Sequence, residues 1–259
     1  MESLSESTMG NDFYCKFIKP DKSLADFVEN LGMFHNPSNK PKEIVVLPDG
    51  RIDLFFMQSA SAPFYVTLVG LETASEQRIL PPQTFAFVIS FKPLAVEYIL
   101  HTSIADLLNT ARDFPDDFWN FDVDDLGNFD AFCTKASRKI KELLPKKIDE
   151  RKRKLFELIY SSNGEMSVKE LSQKVFWSSR QINRYFNQQF GLSLKVYCTI
   201  LRFRASLKHI AKGKLHPELN FTDQTHFIKE IKKFSGVVPK ELSKNKNDRF
   251  VLLSVLKQK

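Results

Sequence analysis

The sequence predicts an α+β chain, with a small β-barrel or sandwich and flanking helices first, then an all-α C-terminal region. Three observations predict it. Residues 43–91 hold several short runs rich in aromatic and β-branched residues, separated by turn residues. From Asp149 onward the apolar residues recur at helical spacing. The charge divides between the same two parts. Residues 1–125 hold 9 Lys and Arg against 19 Asp and Glu, a net of −10, and the remaining 29 against 12 give +17.

The elements follow in chain order. Residues 1–10 (MESLSESTMG) carry acids and hydroxyls without an apolar core and are expected to be loose; they do not read as a secretory leader. Residues 23–34 have the composition of a short helix covering one end of the sheet. EIVVLPDGRIDLFFM (43–57) reads as a hairpin around Pro-Asp-Gly, because Gly supplies the positive φ that such a turn needs. PFYVTLVG (63–70) and PQTFAFVISF (82–91) are further strands, and PLAVEYILHT and SIADLLNTARDF read as short helices, the second capped by Ser103. Residues 122–148 begin with acids and end with bases, as the helix dipole favours, and Phe129, Phe132, Ala136, Ile140 and Leu143 form one stripe, read as core ahead of a dimer seam.

The C-terminal part is punctuated by caps. Leu155, Leu158 and Ile159 give a first apolar face, stopped at Ser161-Ser162-Asn163-Gly164. Ser167 with Glu170, then Ser178 with Gln181, are two capping boxes eleven residues apart. Only Phe176, Trp177 and Ser178 remain for the turn, which is the punctuation of a helix-turn-helix unit. Trp177 is expected to pack between its helices. Ile182, Phe186 and Phe190 point the second helix inward, which leaves Arg180, Asn183, Arg184 and Asn187 on the other face. These side chains have the donors that reach base edges and phosphates. Ser193 caps a long helix that ends at Gly213. Thr222 or Asp223 caps another with Phe227, Ile231 and Phe234 inward, closed by Gly236 and Pro239; the conformation of residues 244–259 is left open.

These residues resemble the AraC/XylS family of bacterial transcription regulators. V-x-x-L at Val168 and Leu171, S-x-R-x-I-x-R-x-F from Ser178 to Phe186, and G-L-S at Gly191 carry the first unit. FTDQTHFIK from Phe221 to Lys229 and FSGVVP from Phe234 to Pro239 carry the second. The resemblance implies two helix-turn-helix units joined by one long helix. It implies base contacts from Arg180, Asn183 and Arg184, with Asn187 on the same face, and from Gln224, Thr225 and Lys229 in the second unit. One departure stands out: where the family has a full helix before FTDQ, this chain has only KLHPEL, with Pro217 inside it, and Asn220 stands where the family has Gly. The second unit is therefore expected to be truncated. LPDGRIDL (47–54), VGLET (69–73) and ISFKP (89–93) resemble, more faintly, the cupin-like sensor domains of the family. That implies a small effector or a homodimer, and family membership implies RNA polymerase as a partner.

The expected organisation is thus a sensor domain at 11–121, a connecting helix at 122–148, a DNA-binding domain at 149–243 and a basic tail at 244–259, in a cytoplasmic regulator of double-stranded DNA. No cofactor, catalytic residue or metal site is expected. The alternative is a metal-dependent cupin-type enzyme with an accessory DNA-binding domain, but only His35 and His101 fall in the first half and no H-x-H occurs. The 24 Phe raise a single-strand stacking role, yet those of the basic half fall on inward faces. The run KKIDERKRK (146–154) is either a solvated face or a polyanion-binding one. Three distant cysteines, Cys15, Cys133 and Cys198, suggest a reducing setting.

Overall fold

The computed structural model describes residues 3–8, 13–219 and 221–257. Among the described residues nine strands build the first half: β1 (Ser3–Thr8), β2 (Tyr14–Ile18), β3 (Val28–Asn36), β4 (Lys42–Val46), β5 (Ile52–Ser59), β6 (Ala62–Val69), β7 (Glu76–Leu80), β8 (Thr84–Phe91) and β9 (Ala111–Phe114). A seven-stranded antiparallel sheet has the order β1-β2-β3-β8-β5-β6-β9, and β4 pairs with β7 in a separate ribbon. Among the described residues nine α-helices follow: α1 (Pro93–Tyr98), α2 (Phe129–Glu142), α3 (Glu150–Ser161), α4 (Val168–Val175), α5 (Ser179–Phe190), α6 (Leu194–Ala211), α7 (Gln224–Ser235), α8 (Pro239–Lys244) and α9 (Val251–Lys257). The protein is α+β in the order its sequence implies.

The alternation of side chains sorts the large sheet into two faces. Ile52, Leu54 and Phe56 of β5, with Phe87, Ile89 and Phe91 of β8, turn to the helical layer and are buried. Phe132 of α2 packs against Phe56, Phe87 and Phe121, so the stripe along α2 is core. Asp53, Phe55 and Met57 of β5 and Ala86, Val88 and Ser90 of β8 turn the other way and line a cavity that β4 and β7 cover.

Several expectations need correction. Residues 3–8 are not loose but pair with β2, while 1, 2, 9 and 10 lie outside the described residues. The span 23–34 holds a short 3-10 turn (Lys22–Leu24) and the start of β3 rather than a helix, because β2 and β8 supply ladder partners on both sides. The runs in 43–57 are strands but not a hairpin: the Pro48-Asp49-Gly50 turn carries the chain from the small ribbon to the large sheet. After α1 the chain makes a 3-10 turn (Ala105–Leu107) and then β9, which pairs with β6 where a helix was expected. Residues 214–219 form no helix, so the second unit is truncated as expected; Asn220 lies outside the described residues. The tail folds into α9, and Arg249 accepts from the Val45 amide (2.6 Å), which ties it to β4.

The two halves are sewn together. Tyr197 of α6, fully buried, donates its hydroxyl to Gly50 O (3.0 Å) and meets the Tyr160 hydroxyl (2.9 Å). Gly50 lies at φ +76°, and a Cβ there would touch Leu201 (3.0 Å) and Tyr197 (3.2 Å). Beside it Arg204 of α6 pairs with Glu29 of β3 at 2.6 Å. Burial opposes the Glu29 charge, but Arg204, Arg51, Lys19 and Lys92 outweigh it and hold the carboxyl down to about 2.

A carboxyl lowered in this way stabilises the fold fully above its ordinary value of 4.5 and loses that contribution as pH falls toward about 2. Acid titration of thermal stability should therefore show the wild type losing roughly 3 kcal/mol more than Glu29→Gln across that window. Parallel curves for the two proteins would contradict the clamp.

Candidate nucleic-acid interface

α4, the three-residue turn and α5 form a helix-turn-helix unit with the expected bounds. Ser167 Oγ accepts from the Glu170 amide (3.2 Å) while the Glu170 carboxylate accepts from the Ser167 amide (2.9 Å). Ser178 and Gln181 do the same at α5, at 3.3 and 3.1 Å. Four orphan amides are satisfied by side chains of the chain's own first turns. Ile182, Phe186 and Phe190 are buried, as their spacing predicts, and Tyr185 joins them. Trp177 packs on Tyr185 (5.4 Å between ring centres) under the Arg151 guanidinium, in line with a packing role.

The outer face of α5 is polar and uncovered. Arg180, Arg184 and Asn187 are exposed. Among the described residues no carboxylate lies within ion-pair reach of Arg180 or Arg184, and Glu170 is engaged by its own capping box. Asn187 donates back to Asn183 O (2.8 Å), leaving its amide oxygen outward. Asn183 is different. It is half-buried, its Nδ2 donates to Ser179 O (3.0 Å), and its Oδ1 accepts from the Leu194 amide (3.3 Å). The first of these bonds lies within α5 and the second joins α5 to the start of α6, so Asn183 is engaged within the chain where Arg180 and Arg184 are not.

The far end of α5 is held by the other half of the chain. Ser103 Oγ donates to Gln188 O (2.7 Å) and the Ile104 amide to Gln189 O (2.9 Å). Gly191, at φ +73°, follows, and a Cβ there would sit 2.4 Å from Ala105 O. Glu97 of α1 adds Lys152 (2.6 Å) and the Tyr185 hydroxyl (3.3 Å).

The second unit is sparser. Phe227, Ile231 and Phe234 of α7 are buried, and Thr225 and Lys229 are exposed. Gln224 is half-buried: its Nε2 donates to Leu215 O (2.9 Å) and its Oε1 lies 3.3 Å from His216 Nδ1. It braces the segment that stands where the missing helix would be, and so is turned from the outer face. α5 is capped by the neutral Ser178 and has no carboxylate in its first turn, so it keeps an uncompensated positive end, whereas the Asp223 carboxylate caps α7 by accepting from the His226 amide (2.7 Å).

Sequence reasoning missed some residues of this surface. Phe176 occupies the turn in the left-handed region (φ 52°) and is 91% exposed. Ile228 stands outward beside Lys229, and Lys232 and Lys233 extend the basic face of α7. An apolar residue off the inward stripe was the available signal for Ile228. Within the run 146–154, Arg151, Lys152, Arg153 and Lys154 pair with Asp149, Glu97, Glu150 and Glu157.

Among the described residues no three His, Cys, Asp or Glu side chains come together to hold a metal. His35 lies against the Phe85 ring (3.9 Å between centres), and His101 is exposed after α1. Among the described residues no helix is long and apolar enough to cross a membrane.

A family model described as a domain of unknown function, DUF6597, matches residues 16–113. No curated protein matches the chain. Solved structures of ToxT from Vibrio cholerae are similar at low identity. One, the P21 form, is 12% identical with a TM-score of 0.46, covering 87% of this chain and 98% of that one. ToxT from strain O395 gives 11%, 0.45, 86% and 96%, and the unsaturated fatty acid bound form from strain SCE256 gives 12%, 0.43, 91% and 96%.

Gly191→Ala forces a left-handed alanine against a carbonyl and should cost upward of about 2 kcal/mol, against about 1 kcal/mol for Ser103→Ala, which removes one capping donor. Urea denaturation checks both. A Gly191→Ala protein as stable as the wild type would show that the contact between the α5 end and residues 103–105 is not fixed.

Proposed function

We propose that this chain is a sequence-specific double-stranded DNA-binding transcriptional regulator of the AraC/XylS type. One observation carries the reading: α5 presents Arg180 and Arg184, unneutralised and exposed, on a helix whose two ends are locked. A helix fits the major groove, and an Arg fork suits the two acceptors of a guanine edge. Asn187 lies one turn further along the same face. Thr225 and Lys229 are the corresponding groups on α7, with Lys232 and Lys233 placed for phosphates, which fix register without reading sequence. Phe176 and Ile228 offer apolar surface of the kind that meets a thymine methyl. Asn183 and Gln224 support the two helices from behind. A homodimer and contact with RNA polymerase belong to the same reading, as the family resemblance implies them.

Selection of bound fragments from random duplex DNA should return a defined motif. Arg184→Ala should relax one position of that motif at a cost of roughly 1–3 kcal/mol, and Lys233→Ala should weaken all sequences alike while lowering the salt dependence by about one ion. Recovery of no motif, or an Arg184→Ala motif identical to the wild type, would refute the reading.

A further inference from the structure

The cavity between the large sheet and the β4-β7 ribbon has a volume of about 460 Å³ and two unlike ends. The strand register sets them. Asp53 of β5 stands opposite Ser90 of β8 and Val69 of β6. Phe55 stands opposite Val88, and Met57 opposite Ala86 and Tyr65. Asp53 and Met57 are four residues apart, which is about 13 Å along a strand. Beyond Met57 the wall is apolar, with Phe34, Leu80 and Pro81. Val251 and Leu252 of α9 close one side, so the end of the chain forms part of the container.

The polar end gathers four carboxyl groups, Asp49, Asp53, Glu72 and Glu76, around two guanidinium groups, Arg51 and Arg78. Arg51 is paired with Asp49, and Arg78 with Glu72 (2.9 Å) and Glu76 (2.6 Å). Asp53 is the carboxylate left over. Its Oδ1 is buried and, among the described residues, has no hydrogen-bond partner. Burial and the neighbouring Asp49 push the Asp53 carboxyl up to about 6, with Arg51, Ser90 and Arg78 opposing. Burial likewise pushes Glu72 up to about 8, although Arg78 opposes it. A buried acceptor without a donor is costly, and Asp53 is among the residues lining a cavity large enough for a small ligand.

We infer that this cavity binds a small amphipathic cation, such as an alkyl or aralkyl amine. Its ammonium group is held by Asp53, and its apolar body lies along Phe55, Val88 and Met57. The inference deepens the regulator reading, because it gives the effector of such a regulator a chemistry. The site also lies close to the DNA-binding half: Gly50, between Asp49 and Arg51, accepts the Tyr197 hydroxyl of α6. A charge placed beside Asp49, Arg51 and Asp53 therefore acts one residue from the helix that joins the two units.

The test is calorimetric titration of the full chain, without DNA, with decylamine, decanoate and decanol at neutral pH, where the amine is charged. Binding measured this way can fail while DNA recognition stands, and the reverse. The expected result is one decylamine per chain, bound at least about tenfold tighter than either decanol or decanoate. Asp53→Asn should remove at least about tenfold of the decylamine affinity while retaining the folded state by circular dichroism and the affinity for decanol. Ala86→Leu narrows the apolar end and should weaken decylamine more than butylamine. Decanoate or decanol binding as tightly as decylamine, an Asp53→Asn protein that binds decylamine unchanged, or no binding of any of the three would overturn the inference.

Discussion

An α-helix ends in carbonyls that need donors, and α5 takes two of them from the opposite half of the chain. Ser103 Oγ and the Ile104 amide reach Gln188 O and Gln189 O, and Gly191 lets the backbones close to that distance. The rest of the arrangement depends on this junction. With its first turn capped by Ser178 and Gln181 and its last turn capped by the N-terminal half, α5 cannot rotate without losing hydrogen bonds at one end. Its buried side is then Ile182, Phe186 and Phe190, and its free side is Arg180 and Arg184. The position of the proposed reading helix is thus set by residues 103–105 as much as by its own unit.

The same logic extends to α6. Tyr197 and Arg204 tie its middle to Gly50 and Glu29, and α9 lies between α6 and the small ribbon through the Val45–Arg249 contact. The halves therefore share a core, in which Phe156, Phe186 and Tyr197 pack together with tilted and edge-on rings. A change at the cavity has two short paths to the helices: the Asp49–Arg51 turn and the α9 wall. That is a physical basis for the proposed effector to act on the proposed DNA recognition without a flexible linker, since packed interfaces transmit strain.

What was legible in the sequence was what local chemistry decides. The capping boxes, the apolar stripes of α2, α5 and α7, and the Gly stops at Gly164, Gly213 and Gly236 placed the helices because each is settled within a few residues. The errors were non-local. The span 23–34 looks helical until β2 and β8 offer it partners, and Gly32 is needed there because a Cβ would strike Phe17 and Val88 at 2.8 Å. Pro48-Asp49-Gly50 looks like a hairpin turn because sequence does not reveal that its strands belong to different sheets. Asn183 lies on the polar face by spacing, yet its partner is the Leu194 amide of the next helix. The cavity was invisible, because Asp53 becomes an unmatched charge only once Asp49 has taken Arg51 and Glu72 has taken Arg78.

Hydrogen–deuterium exchange of the full chain, alone and with a bound duplex, tests the central claim most directly. The account predicts new protection in the first turns of α5 and α7, whose amides lie nearest the proposed phosphates, with residues 103–105 and 188–191 equally protected in both states. Protection elsewhere with α5 unchanged, or release of residues 188–191 on binding, would contradict a reading helix held in place by the N-terminal half.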